Sequence, residues 1–403
     1  MSLTGENIVI LSSDDWASGL KTSKYHIARC LARENRVLFV NSIGLRSARA
    51  SRRDIKRMAR KLLDFCQGVK RTPEGPYVYT PIAIPFLRGS RWVRALNAAF
   101  MRLSLRWLQW RLGLARPIVF VFIPTFRDVI GCLGAKKVIY YCIDDLSAYA
   151  GVDQGWFGAE ERRLLGHCDC VIASSRELYR RLRPCGLPVH YVPHGVDWAL
   201  FRKALTEDLP EPTDLSHIPH PRLGFYGFLS DEWVDYELLK RLAHHRPDWH
   251  IVLIGRPANG MDMASLLPEP NVHWLGVKPF ESLPAYTRHF DVGLIPFRRS
   301  RLTLHSNPLK LLEYLSGGLP VVSTDIPEVR QYRGLVRVAA SDEEFEKACQ
   351  DALADGSPAA RERRSDALRA HAWEARVKVI SEIVEKAPHT GAAANTSLEI
   401  NVE

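Results

Sequence analysis

Apolar residues along this chain gather in short runs that alternate with stretches of helical periodicity. The run NIVIL at 7–11 reads as a first strand, and the polar loop SSDDWASGLKTS follows it. A helical pattern over 23–33 and a second strand over 36–41 complete a strand–loop–helix–strand unit, the signature of a parallel α/β sheet. Further strands are predicted at 118–123, 137–142, 170–174 and 189–193. All are rich in Val, Ile and aromatics without polar alternation, as expected for strands covered on both faces. The second half repeats the plan. Strands are predicted at 223–226, 249–254, 272–275, 291–296, 320–323 and 336–338. Helices are predicted at 233–243, 283–288, 308–316, 343–353 and 360–384, with a polar, frayed tail from about 389.

Between the halves lies TEDLPEPTDLSHIPHPR, at 206–222, rich in Pro and acidic residues and without periodicity. Such a stretch marks a domain boundary. The expected organisation is a first Rossmann-like domain over 1–205, a second over 206–370, and a helix with a polar tail over 371–403, the helix packing back on the first domain. In open α/β sheets ligands bind beyond the carboxyl ends of the strands, so residues just after strands carry the chemical interest.

Composition narrows the class. The 403 residues are 46% hydrophobic and 25% charged, which is globular rather than disordered, and a chain this long favours two domains. No run of 18 or more apolar residues occurs, so no membrane span is expected, and the N-terminus lacks the pattern of a secretion signal. The eight cysteines are scattered, and Cys168 and Cys170 have no second pair at metal-site spacing. The expectation is reduced thiols of a cytoplasmic protein, with no metal site. The net charge of +10 calls for anionic partners.

Part of that charge is concentrated in an insertion over about 46–114. It opens with RSARASRRDIKRMARKLLDFCQGVKR and continues with SRWVRALNAAFMRLSLRWLQWRLGLARP. In the second piece Trp92, Leu96, Ala99, Phe100, Leu103, Trp107 and Trp110 recur at steps of three and four, and Arg91, Arg94, Arg102, Arg106 and Arg111 fall around them. This is a basic amphipathic helix with interfacial aromatics. Two readings stand: the stripe packs on its own sheet with a solvated basic rim, or it contacts an anionic membrane or a lipid-linked substrate. No nucleic-acid reader motif accompanies it, so nucleic acid is not an expected partner.

The densest chemical signal is HSNPLKLLEYLSGGLPVVSTDIPEVRQY, at 305–332. Pro308 suits a first helical turn. Lys310 and Glu313 share a helix face near that N-terminus. Free amides there can hold a diphosphate, Lys310 adds a point charge, and the Glu313 carboxylate can accept from two ribose hydroxyls. The plain alternative is a local surface ion pair.

PLKLLEYLSGGLPVVST resembles the C-domain signature of GT-B glycosyltransferases, chiefly the family 4 group. The likeness extends in order through PHGVDWALF, GFYGFLSDEWVDYELL, IVLIGRP and VHWLGVKPFESLPAYTRHFDVGLIPF. The resemblance implies two Rossmann-like domains facing a central cleft, with the nucleotide sugar held by the second. It implies that Glu313 binds the donor ribose, with Asn307, Pro308, Leu309 and Lys310 beside it. Gly227 permits close backbone approach to a phosphate, and Arg256 follows a strand end and can contact the base or diphosphate. His194 either meets the sugar or phosphate or is part of a plain structural turn, PHGVD. Retaining members of the group carry another Glu eight positions earlier, where this chain has His305, which leaves the stereochemical course open. The HSNPLK loop is closer to glycosyltransferases of teichuronic acid and polysaccharide biosynthesis, and more distantly to the glucuronosyltransferases of xanthan synthesis. Phe280 and Glu281 fall near the expected nucleobase. Arg298, Arg299 and Arg301 follow a strand end at Pro296 and Phe297 and can face a diphosphate or solvent.

Sugar transfer needs a base for the acceptor hydroxyl or positive charge on the leaving diphosphate. Asp144 and Asp145 directly follow a strand in KKVIYYCIDDLSAYAGVD, where they serve either as catalytic groups or as caps. The resemblance to the xanthan enzymes selects Asp144, with Asp145 next. Asp14 and Asp15 in the first loop are the other carboxylates, Asp15 being the third catalytic candidate, and Lys21 and Lys24 can meet acceptor anions. The expected activity is transfer from a nucleotide sugar, UDP-linked, to a lipid-linked or polysaccharide acceptor, with no essential cofactor or metal. It is placed in the cytoplasm, peripheral to the membrane. Competing readings are transfer to a soluble metabolite, a nucleotide-sugar epimerase and a non-catalytic partner-binding subunit.

Overall fold

The computed structural model describes residues 3–17, 19, 21–42, 59, 61–82 and 91–388. Most of the basic stretch at 43–60 therefore lies outside the described residues, as does the tail from 389. The chain forms two compact units. The first comprises residues up to Ser174, Leu178–Val192 and the chain from Val377; the second comprises Ser175–Glu177 and Pro193–Arg376.

The first unit is built on an eight-stranded sheet. Its strands are β1 (Asn7–Leu11), β2 (Arg36–Val40), β3 (Lys70–Arg71), β4 (Tyr77–Tyr79), β5 (Ile118–Val121), β6 (Lys137–Cys142), β7 (Cys170–Ala173) and β8 (Val189–Tyr191), in the order β3-β4-β2-β1-β5-β6-β7-β8. Every pairing is parallel except β3 with β4. Strand order reverses between β1 and β5, so the carboxyl ends of these strands frame the switch point where a parallel sheet opens a crevice. Continuous apolar strands fit this position: all four residues of β5 and all six of β6 are buried. Helices α1 (Ser23–Leu31), α2 (Arg91–Leu112) and α3 (Gln154–Leu165) belong to this unit. β3 and β4 were not predicted, because two or three residues are too short for a periodic signal.

The second unit carries a six-stranded, fully parallel sheet of β9 (Arg222–Leu229), β10 (His250–Pro257), β11 (Val272–Trp274), β12 (Val292–Ile295), β13 (Val321–Thr324) and β14 (Val336–Ala339). Its order is β11-β10-β9-β12-β13-β14, which places the switch between β9 and β12. Its helices include α4 (Trp198–Thr206), α5 (Tyr236–His245), α6 (Leu283–His289), α7 (Leu309–Ser316), α8 (Asp342–Leu353), α9 (Pro358–Ala367) and α10 (Trp373–Lys386), whose last turns join the first unit. Side-chain caps set several starts: Asp197 for α4, Asp235 for α5, Ser341 for α8 and Ser357 for α9, each worth about 1 kcal/mol.

Three expectations change. The division falls at Pro193, ahead of the Pro-rich 206–222 stretch. The reason is α4: its Phe201 is fully buried and joins the core around Leu223, Phe225 and Tyr226. The helix expected over 233–243 starts at Tyr236, after the Asp235 cap. The single helix expected over 360–384 is two, broken by a 3-10 turn at Arg369–His371. At the far end of α10, buried Lys137 donates to the carbonyls of Val384 at 2.6 Å and Glu385 at 2.8 Å. A cation thus caps the helix C-terminus from β6. No described helix is long and apolar enough to cross a membrane.

Close backbone approach fixes the β9–β10 pair. Gly255 has φ +140°, and a Cβ there would stand 1.8 Å from the Gly227 carbonyl oxygen. Both the backbone conformation and the space exclude a side chain. Gly255→Ala should therefore destabilise the second unit by at least about 3 kcal/mol, read as a lower urea midpoint at unchanged slope.

Candidate active site

In the first unit the candidate carboxylates follow β1 and β6, on either side of β5. Asp14 sits two residues beyond the buried Ser12, whose hydroxyl accepts from the Asp14 amide at 2.9 Å. Its Oδ2 accepts from the Thr22 hydroxyl at 2.9 Å and from the Lys24 ammonium at 2.5 Å. Lys24 lies in the first turn of α1 and is buried at 3% exposure, while the Asp14 side chain is a third exposed, so the pair is only partly withdrawn from water. Lys21 instead lies over the Tyr25 ring, 3.9 Å from its centre.

The adjacent aspartates after β6 take different roles. Asp145 is buried and its Oδ1 accepts from the Ser147 hydroxyl at 2.5 Å, while its carbonyl accepts from Ala148 N. It holds the 3-10 turn Leu146–Ala148. Asp144 is half-buried and its carboxyl is pushed up to about 7. Burial is the main cause; Lys24 opposes the shift, and Asp14 and Asp145 add to it. A carboxyl titrating near neutrality after a central strand is suited to taking or giving a proton. Asp15, the third catalytic candidate, is paired with Lys61 at 3.2 Å, away from the Asp14–Lys24 contact.

In the second unit the donor candidates collect at the β9–β12 switch. Gly227 lies within a strand that is longer than the 223–226 expected: β9 runs on to Leu229, with Gly227 opposite Gly255 and Phe228 opposite Arg256. A Cβ on Gly227 would lie 3.2 Å from Phe225 Cζ and 3.8 Å from Lys310 Cε, so the lysine stem passes beside the strand at this glycine. Lys310 Nζ contacts both Glu313 oxygens, at 3.3 and 3.1 Å, and stands 5.3 Å from the centre of the Tyr226 ring. Tyr226 is itself fixed, its amide donating to the Tyr314 hydroxyl at 2.9 Å.

Glu313 is 4% exposed, and its carboxyl is raised by burial against the opposing pull of Lys310 and a hydrogen bond from Tyr226. A surface ion pair is thus excluded as the account of Lys310 and Glu313: the acid is buried on α7, in reach of Tyr226 in β9. Asn307 and Pro308 are buried immediately before α7, Leu309 is its first residue, and Pro308 occupies its N-cap. Pro308 offers no side-chain acceptor, so the first amides of α7 are not capped by it. Upstream, the Ser306 hydroxyl donates to the Thr303 carbonyl at 2.7 Å, and the His305 carbonyl accepts from Ser175 Oγ at 2.6 Å.

Other candidates divide. His194 is buried beside Trp373, ring centres 6.2 Å apart. Arg256 is exposed beyond Gly255, and Arg298, Arg299 and Arg301 are exposed after Phe297. Phe280 lies in the core, edge-on to Phe201 at 5.6 Å, rather than open to a base, and Glu281 is exposed. Phe297 packs on Phe225 and Trp233. Sequence reasoning missed Tyr226, whose only signal was its place one residue before Gly227. Among the described residues no cluster of three His, Cys, Asp or Glu is placed to hold a metal ion.

Residues 220–355 match the family described as Glycosyl transferases group 1. A putative teichuronic acid biosynthesis glycosyltransferase of Bacillus subtilis, TuaH, is 29% identical over 224 residues, 53% of this chain and 56% of that protein. The match thus spans little more than half the length of that relative. Among solved structures, sucrose-phosphate synthase from Thermosynechococcus elongatus covers 94% of this chain and 98% of its own at TM-score 0.68 and 15% identity. Anabaena Alr3699/HepE in complex with UDP and glucose covers 94% and 100% at TM-score 0.63 and 14% identity. These likenesses establish the fold class as α/β with GT-B architecture, built from two Rossmann-like units.

Proposed function

We propose that this chain, with its group 1 glycosyltransferase segment at 220–355, transfers a sugar from a UDP-linked donor to a lipid-linked or polysaccharide glycan. The reaction takes place at the cytoplasmic face of a membrane. The observation that carries the reading is the buried Glu313 held by Lys310 beside the open backbone of Gly227. A buried carboxylate with one cationic partner retains acceptor capacity for a pair of hydroxyls, as a ribose presents. The start of α7, where Pro308 supplies no side-chain cap, and the Lys310 charge suit a diphosphate. That Alr3699/HepE was solved with UDP and glucose supports the choice of donor, and the TuaH likeness supports a cell-surface glycan as acceptor.

In this reading Asp144 takes the proton of the attacking acceptor hydroxyl, and the Asp14–Lys24 pair sets the field around it. Lys310 and the arginines after β12 balance the charge that develops on the leaving diphosphate.

The test is thermal unfolding with UDP, GDP, ADP and dTDP. UDP at a hundredfold excess over its Kd should stabilise the protein by about 2.7 kcal/mol, with no comparable shift from the others. Absence of any nucleotide shift would remove the reading. Because protein cations serve the diphosphate here, turnover should persist in excess EDTA; a loss restored by magnesium or manganese would contradict that part.

A further inference from the structure

Helix α2 is apolar on two opposite faces. Met101, Leu105 and Leu108 are buried in the core of the first unit. The stripe identified in the sequence, in contrast, lies outside: Trp92 is 86% exposed, Leu103 69% and Trp110 80%, with Leu96, Phe100 and Trp107 also open. At about 100° per residue this stripe is centred on the side away from the buried face. The helix is held firmly in that orientation. Arg102 Nε donates to the Asp128 carbonyl at 2.7 Å, Arg106 Nε to the Cys132 carbonyl at 3.3 Å, and Gln109 to the Leu133 carbonyl at 2.8 Å.

The apolar surface continues onto residues 61–66. Phe65 packs on Phe100 with ring centres 5.7 Å apart, and the neighbouring Leu62 and Leu63 are more than half exposed.

We infer that this face is a bilayer-docking surface that takes an anionic lipid membrane, with α2 lying in the plane of the interface. Three observations select that occupant over a second protein. The helix carries five arginines and no acidic residue. Arg102, Arg106 and Arg111 are exposed, and at about 100° per residue they fall along the two edges of the apolar stripe. The apolar side chains that project most include three tryptophans, the residue type suited to the headgroup boundary. A 22-residue helix spans about 33 Å, enough to present all of them to one flat surface. The inference deepens the transferase reading by naming where a lipid-linked acceptor is met, and it rests on that reading for its purpose only.

The experiment is flotation of the full chain with phosphatidylcholine vesicles, with and without phosphatidylglycerol, some carrying bromine in the acyl chains. The comparison variant is L103S/W107S/W110S, at exposed positions where folding does not depend on them. Binding to the anionic vesicles, quenching of tryptophan emission by the bromolipid, and at least a tenfold loss of binding in the variant are expected. Unchanged binding by the variant overturns the proposal. So does failure to bind anionic vesicles, including the case in which the chain instead dimerises through the same residues. The nucleotide shift is measured on the same samples: retained in the variant, it separates failure of docking from failure of the transferase reading.

Discussion

Asp144→Asn should lower turnover by about two to four orders of magnitude while leaving donor affinity close to that of the parent protein. The half-buried carboxyl titrates at about 7, so the base form fills as pH rises through neutrality, and the transfer rate should rise with it. The asparagine variant should lose that limb of the pH profile. A merely structural role would leave the profile in place. Stability gives an independent readout. The folded state holds a proton on Asp144 that the unfolded chain loses near the ordinary carboxylate pKa. Stability from this group is therefore full below that ordinary value, and it falls as pH rises through about 7. Above pH 7 the asparagine variant should be more stable than its parent, by about 1–3 kcal/mol, and the difference should vanish by pH 4. Urea midpoints at pH 4 and pH 8 check this; a variant less stable at both would remove the assignment.

Glu313→Ala should weaken donor binding by about 10- to 100-fold, equivalent to roughly 1.4–2.8 kcal/mol, with a smaller effect on turnover at saturating donor. The side chain is buried and contacts Lys310 with both oxygens, so truncation removes the acceptor and leaves the lysine without its partner. The neighbouring Leu311, Leu312, Tyr314 and Leu315 hold α7 in the core, so the fold should survive. Titration calorimetry with UDP reads the loss directly. The two variants are expected to split in opposite senses, Asp144→Asn in kcat and Glu313→Ala in KM for the donor. Equal loss of both parameters in both proteins would place neither residue as assigned here.

Much of this molecule is written locally. Strands such as IVFV at 118–121 need no partner to be recognised, because residues covered on both faces are apolar throughout. Lys310 and Glu313 share a helix face at a spacing of three wherever that helix lies. Gly227 and Gly255 mark strands that must approach closely. The two-unit α/β plan follows from these repeated patterns and from the length of the chain.

Other features depend on what the chain folds against. Adjacent Asp144 and Asp145 are indistinguishable in sequence; the 3-10 turn after β6 gives Asp145 to Ser147 and leaves Asp144 half-open beside Asp14 and Lys24. Asp15 is as plausible a base as its neighbour until Lys61, far along the chain, pairs with it. Helical periodicity places Trp92, Leu103 and Trp110 on one face, but α2 has two apolar faces, and only packing decides which is buried. The core takes Met101, Leu105 and Leu108 and leaves the tryptophans outside. Periodicity reports which side chains share a face; what covers that face is a long-range property, set by the sheet that the helix meets.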